Sequence, residues 1–273
     1  MTRTRFGSLL LGLVGLALLA TPVAAQPSTT AGLINDLNSR LLYVAIPITI
    51  LVEVILIYTV LKFKDSDEPS PTRENRRLEI TWTIATAIVL LFVGAASYGV
   101  LANPDVTYTG GVDEIEPAEG DVHVETVAYQ WNWRMNYQSS NITELTAGDL
   151  DTEAIPRAEG LEGPVIVVPA GQDLYFTTAS DDVLHGFAVP ELGLKQDAIP
   201  GQKNTIKTVA NEPGVYQGYC TEYCGVAHSN MYFSVVVVDQ DTYDGFVERQ
   251  TSQGGSGNAS ASLAAPSPAG LGA

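Results

Sequence analysis

Apolar and polar positions divide the chain into two territories, with long apolar runs in its first hundred residues and short β-type runs after them. The first apolar run, Leu9 to Leu19, follows Met1-Thr-Arg-Thr-Arg5 and precedes Thr21-Pro-Val-Ala-Ala25. A charged start, a short apolar stretch and an A-x-A-like end read as a signal peptide over residues 1–25. A membrane anchor is the rival reading, and so short a run falls below what about 30 Å of hydrocarbon requires. Two longer runs, about Leu41 to Leu61 and about Ile80 to Leu101, are each long enough to cross a bilayer as a helix. They predict a two-helix transmembrane hairpin within residues 26–103. Lys62, Lys64, Arg73, Arg76 and Arg77 lie between the two runs, and the positive-inside rule puts that connection in the cytoplasm. Everything from about Pro104 onward is then extracytoplasmic.

From there the periodicity changes. Val122 to Val127, Val165 to Val168, Leu174 to Thr178, Thr205 to Val209 and Met231 to Val238 are β-rich runs separated by turn signals such as Pro169-Ala-Gly171 and Glu212-Pro-Gly214. Their spacing predicts an all-β sandwich or barrel over residues 104–250. Residues 143–163 are acidic and lack apolar periodicity, which reads as a surface insertion. Residues 251–273 are mostly Gly, Ser, Ala and Pro, a composition that predicts a disordered tail.

Charge narrows the partners. The chain carries 31 acidic against 14 basic residues, a net charge of −17, and only five of the basic residues are Lys. Such a surface repels nucleic acid. An acidic, lysine-poor surface also suits very high salt, where the Debye length shrinks to about 3 Å at 1 M, so a halophilic source is expected.

The chemistry concentrates in Cys220-Thr-Glu-Tyr-Cys224-Gly-Val-Ala-His228-Ser-Asn-Met231, which gathers two thiols, an imidazole and a thioether. Soft sulfur with imidazole selects copper. Structural zinc sites take four Cys or His ligands, and a blue-copper site needs one thiolate where this loop supplies two. Two cysteines in an exported domain could instead form a disulfide. Any further imidazole must come from His123 or His185, since the chain has three histidines. His185 stands in Ser180-Asp-Asp-Val-Leu-His185-Gly-Phe-Ala-Val-Pro190, whereas His123 lies in a plain strand-like run and is left out of the site.

These two segments, in this order, resemble the S-x-D-V-x-H-x-F and C-x-E-x-C-G-x-x-H-x-x-M signatures of subunit II of cytochrome c oxidases. The likeness extends through Gly193-Leu-Lys-Gln-Asp197-Ala-Ile-Pro-Gly201, Gln130-Trp-Asn-Trp133 and the two apolar helices, about residues 35 to 248. It implies a cupredoxin-like β-domain holding a dinuclear CuA copper centre. Cys220 and Cys224 would bridge the metals, His185 and His228 would each ligate one, Met231 would be a weak ligand, and Glu222 would bind through its backbone carbonyl. The Glu222 side chain would reach a magnesium shared with subunit I.

The resemblance further implies that Trp131 is where the electron enters from a docked soluble donor, a cytochrome c or a small blue-copper protein. The electron would pass to haem in subunit I, which reduces oxygen to water with proton translocation at the plasma membrane. Trp133 reads as a core aromatic. Glu79, in Glu79-Ile-Thr-Trp82-Thr, resembles the proton-uptake glutamate of oxidases, although an acid at a helix N-terminus is ordinary. Glu53, isolated inside an apolar span, is expected to face protein. A quinol oxidase subunit would lack the ligand set, a copper-delivery protein would need neither Trp131 nor the Glu79 pattern, and a nitrous oxide reductase would need a much larger catalytic domain.

Overall fold

A computed structural model describes residues 26–66, 71, 73–111, 115–140, 142–161 and 163–254. The signal peptide expected over residues 1–25, and the tail beyond residue 254, lie outside these.

Helix α1 spans Thr29–Phe63, 35 residues, and α2 spans Arg76–Leu101, 26 residues. Both exceed the apolar runs that announced them, and α1 begins well before Leu41. The reason is a cap: the Ser28 side chain accepts from the Ala31 N–H at 3.0 Å and starts the helix in a polar stretch that hydropathy does not register. At 1.5 Å per residue α1 is about 52 Å long, against about 30 Å of hydrocarbon. Its surplus turns run out to the β-domain, where Ser28 Oγ also donates to Leu192 O at 2.7 Å and Thr30 Oγ1 donates to Thr208 Oγ1 at 2.7 Å. The most apolar stretch of each helix is wholly uncovered within the chain. Glu53 lies in that surface, exposed and without a described partner.

Nine strands among the described residues form two sheets. β1 (Val122–Tyr129), β2 (Asn132–Tyr137), β4 (Asp173–Ser180) and β7 (Asn204–Val209) run in the order β2-β1-β4-β7. β3 (Val165–Pro169), β9 (Tyr232–Val238), β8 (Gly214–Cys220), β5 (His185–Val189) and β6 (Leu194–Ala198) run in the order β3-β9-β8-β5-β6. Alternation explains the first sheet, since β1 turns Val122, Val124, Thr126 and Ala128 inward. β3, β5 and β9 bury nearly every residue and so read as continuous apolar runs. Between the sheets lie Phe176, Phe187, Phe233 and Trp133, with Phe187 and Phe233 stacked at 4.8 Å. The Tyr137 hydroxyl donates to Val167 O and accepts from Val167 N–H, both at 2.7 Å, tying the two sheets together.

Two expectations need correction. The described residues of 143–163 form no strand, yet they are more than a surface insertion: Leu145, Leu150, Ile155 and Ala158 are buried in the core. The first three stand five residues apart, a spacing that matches neither helix nor strand and so leaves no periodic signal. Helix α3 (Gln240–Gly254) packs beside this segment, with Gln250 Nε2 donating to Asp149 O at 2.8 Å. It therefore runs four residues into the stretch expected to be a disordered tail.

Candidate metal centre

Strand pairing builds the site. β5 and β8 are antiparallel, with Phe187 opposite Cys220, so the first residue of one strand and the last of the other meet at one end of the sheet. That register brings His185 to Cys220 across 35 residues of sequence. The loop from Thr221 to Met231 then turns back into β9, held by the Cys220 N–H donating to Met231 O at 3.1 Å and the Thr221 N–H donating to Gly186 O at 3.0 Å. Gly186 must be glycine because a Cβ there would stand 2.3 Å from Thr221 Oγ1.

The donor atoms form a chain. His185 Nδ1 lies 3.8 Å from Cys220 Sγ, Cys220 Sγ lies 3.9 Å from Cys224 Sγ, and Cys224 Sγ lies 3.6 Å from His228 Nδ1. Met231 Sδ is 3.3 Å from Cys224 Sγ, and the Glu222 carbonyl oxygen is 3.2 Å from Cys220 Sγ. All six sequence-predicted positions therefore converge. Both cysteines are free thiols, their separation far beyond the about 2.05 Å of a disulfide. It matches two sulfurs sharing an ion through bonds of about 2.3 Å each. Burial and the Cys220 thiol beside it push the Cys224 thiol up to about 11, so it is protonated at neutral pH, and a metal binding there would have to displace the proton.

Several residues that sequence reasoning gave no role complete the site. Asp182 holds His185 Nε2 at 2.9 Å, which fixes the ring and leaves Nδ1 facing the sulfurs. Burial raises the Asp182 carboxyl, but His185 and the backbone N–H groups of Val183 and Gln130 outweigh it and hold the group below the usual range. Gln130 Nε2 donates to Cys224 O at 2.7 Å, and Trp131 Nε1 donates to the same oxygen at 3.2 Å. Trp131 thus touches the metal loop while remaining 39% exposed. Its fit depends on Gly225, whose backbone has φ +126 and where a Cβ would stand 2.9 Å from Trp131 Nε1. Asp182 stands in the His185 motif three residues earlier, so its position was on view while its contact was not. Trp133 is in the core as expected, edge-on to His185 at 6.3 Å and donating from Nε1 to Met231 O at 3.4 Å. Glu222 pairs with Lys195 at 3.6 Å on the partly exposed side of the loop.

Of the remaining candidates, His123 lies outside the site, buried and 2.8 Å from Thr177 Oγ1. Glu79 sits in the first turn of α2, on the membrane hairpin and not at the sulfur cluster.

Two family models match the chain: "Cytochrome C oxidase subunit II, transmembrane domain" over residues 17–100, and "Cytochrome C oxidase subunit II, periplasmic domain" over residues 122–239. The chain belongs to the cytochrome c oxidase subunit II family. It is 31% identical over 274 residues to cytochrome c oxidase subunit 2 of Cereibacter sphaeroides, an alignment covering 92% of this chain and 84% of that one. The Arabidopsis thaliana subunit is 31% identical over 227 residues, covering 80% and 84% of the two chains. Among solved structures, the periplasmic domain of subunit II from Bradyrhizobium japonicum aligns at a TM-score of 0.41 and 28% identity, covering 50% of this chain and 99% of that one. As a cytochrome c oxidase subunit II, the chain is a membrane-anchored part of a haem-copper terminal oxidase, with its β-domain on the extracytoplasmic side.

Proposed function

We propose that this subunit accepts electrons from a soluble donor at a dinuclear copper centre in its β-domain and delivers them to subunit I. The carrying observation is the row of imidazole, thiol, thiol and imidazole at 3.8, 3.9 and 3.6 Å, closed by Met231 and the Glu222 carbonyl. One imidazole at each end of a thiol pair suits two metal ions better than one, and thioether with thiolate suits copper. Cys220 and Cys224 would bridge the ions, His185 and His228 would each hold one, and Met231 and Glu222 O would be the weaker ligands. When bound, the copper pair supplies a one-electron acceptor whose charge is shared by two metals.

This chain's residues do the rest. Asp182 orients His185, the Phe187–Phe233 stack and Trp133 support the loop from beneath, and these rigid contacts limit rearrangement when the charge changes. Trp131, exposed and bonded to Cys224 O, is the residue a docked donor meets, whether a cytochrome c or a small blue-copper protein. The Glu222 carboxylate, paired here with Lys195, would be the group that reaches a magnesium shared with subunit I. Glu79, in the first turn of α2, would serve proton uptake, and the exposed apolar faces of α1 and α2, with Glu53, are where subunit I would cover the hairpin in the plasma membrane.

Trp131→Phe and Trp131→Ala test this reading in the assembled oxidase. Donor-driven reduction followed by stopped-flow should slow by at least about tenfold, equivalent to a barrier increase of about 1.4 kcal/mol, with copper content unchanged. An unchanged rate would place the point of electron arrival elsewhere.

A further inference from the structure

A cleft of about 390 Å³ opens beside the sulfur cluster, lined by Gln217, Tyr219, Cys220, His228, Ser229 and Tyr232. Two of its walls are themselves donor residues of the site. Three other sides are covered. From beneath, Met231 is 1% exposed and Trp133 2%. On the far side His185 is fully buried behind Asp182. Over Cys224, Gln130 and Trp131 both donate to its carbonyl oxygen and cover the turn at Gly225. His228, by contrast, is partly exposed, and the rings of Tyr219 and Tyr232 stand edge-to-face at 6.4 Å as a side wall of the cleft.

We propose that this cleft is the route by which copper reaches the site, and that Cys220 and His228 are the first ligands to take hold of the incoming ion. The proposal rests on the copper reading given above. The ion is monovalent copper, since soft thiols select that state and divalent copper would oxidise a free thiol pair. Loading is then a ligand exchange. The copper loses a bond to a ligand of its carrier and gains one to Cys220 Sγ. The Sγ proton leaves to the released ligand or to water, and copper stays monovalent throughout. Cys224, not part of the cleft lining, is engaged only after the ion has passed Cys220.

The test uses the metal-free full chain in detergent without oxygen, mixed with monovalent copper as its acetonitrile complex, with uptake followed by thiolate-to-copper charge-transfer absorbance. Ser229→Trp, at an exposed position on the cleft wall, should slow uptake about tenfold while reaching the same final copper content, the effect of about 1.4 kcal/mol of added barrier. Tyr232→Ala, which removes one wall ring, should load no more slowly than the parent. Val226→Trp, next in sequence to the Gly225 that lies against Trp131, outside the cleft lining and 87% exposed in the parent, should load at the parent rate. Parent-rate uptake by Ser229→Trp, or slow uptake by Val226→Trp instead, would overturn the route.

Alkylation of the metal-free chain, mapped by mass spectrometry, gives a second readout. Cys220 should be modified before Cys224, and Ser229→Trp should suppress that modification. Equal labelling, or Cys224 first, contradicts the proposal. A parent chain that takes up one copper or none would defeat the dinuclear reading instead, and the alkylation order would still decide whether the cleft is the way in.

Discussion

Gly186 and Thr221 are the tightest joint between the two segments that supply the site, and a pair of substitutions there should behave in a definite way. A Cβ at Gly186 would stand 2.3 Å from Thr221 Oγ1, 3.1 Å from Glu222 Cγ and 3.3 Å from Glu222 N. Gly186→Ala therefore forces the start of the metal loop away from β5 by about 1 Å before ordinary contact is restored. Overpacking of this kind costs about 1–3 kcal/mol, which for a domain of this size lowers the melting midpoint by roughly 3–10 °C. The same shift carries the Glu222 carbonyl and Cys220 out of register, so copper should bind about 10- to 100-fold more weakly. Thr221 Oγ1 is buried without a hydrogen-bond partner, so Thr221→Ala alone should be close to neutral, because no bond is lost. Together, Thr221→Ala should restore most of what Gly186→Ala removes, a favourable coupling of about 1–2 kcal/mol in a double-mutant cycle. Thermal unfolding followed by near-ultraviolet circular dichroism, and competition for copper against a chelator, measure the two effects. A double variant no better than Gly186→Ala alone would refute the steric account of this joint.

Four further outcomes are expected. Asp182→Asn removes the carboxylate that fixes His185 Nε2 and should weaken copper binding by about 10- to 100-fold, as losing the partner of a metal-bound His does elsewhere; chelator competition would show it, and unchanged affinity would deny Asp182 its orienting role. The Cys224 thiol, raised to about 11 from an ordinary 9.0, gives up its proton after the unfolded chain does, so the metal-free fold should lose stability as pH rises from about 9 toward about 11. Copper uptake should release protons and tighten with rising pH below that range, which a pH-stat titration would detect, with no proton release as the contrary result. Lys207, which bridges Asp105 after α2 at 3.8 Å and Asp173 of β4 at 2.7 Å, pins the membrane connection to the β-domain. Lys207→Met should cost about 1 kcal/mol and speed amide exchange around Asp105, and unaltered exchange would show that the pair does not anchor the connection.

What the sequence disclosed follows from how local each signal is. The metal loop was legible because Cys220, Glu222, Cys224, His228 and Met231 lie within one short segment, where chemistry and spacing can be read together. His185 could be joined to them only through the resemblance, since its contact with Cys220 is created by the β5–β8 register. Asp182, Gln130 and Gly186 act through tertiary contacts that no period marks. The membrane helices were visible as apolar runs, but the start of α1 was not, because a Ser28 cap and packing against the β-domain, rather than hydropathy, set it. The core anchors Leu145, Leu150 and Ile155 escaped for the complementary reason: they are buried from a loop, at a spacing that matches no regular element.

The most direct test of the account is to load the full chain with copper and measure metal content together with the electron paramagnetic resonance spectrum. Two coppers per chain sharing one unpaired electron is the expected result. One localised copper, zinc in its place, or a Cys220–Cys224 disulfide that persists through reductive loading would contradict it.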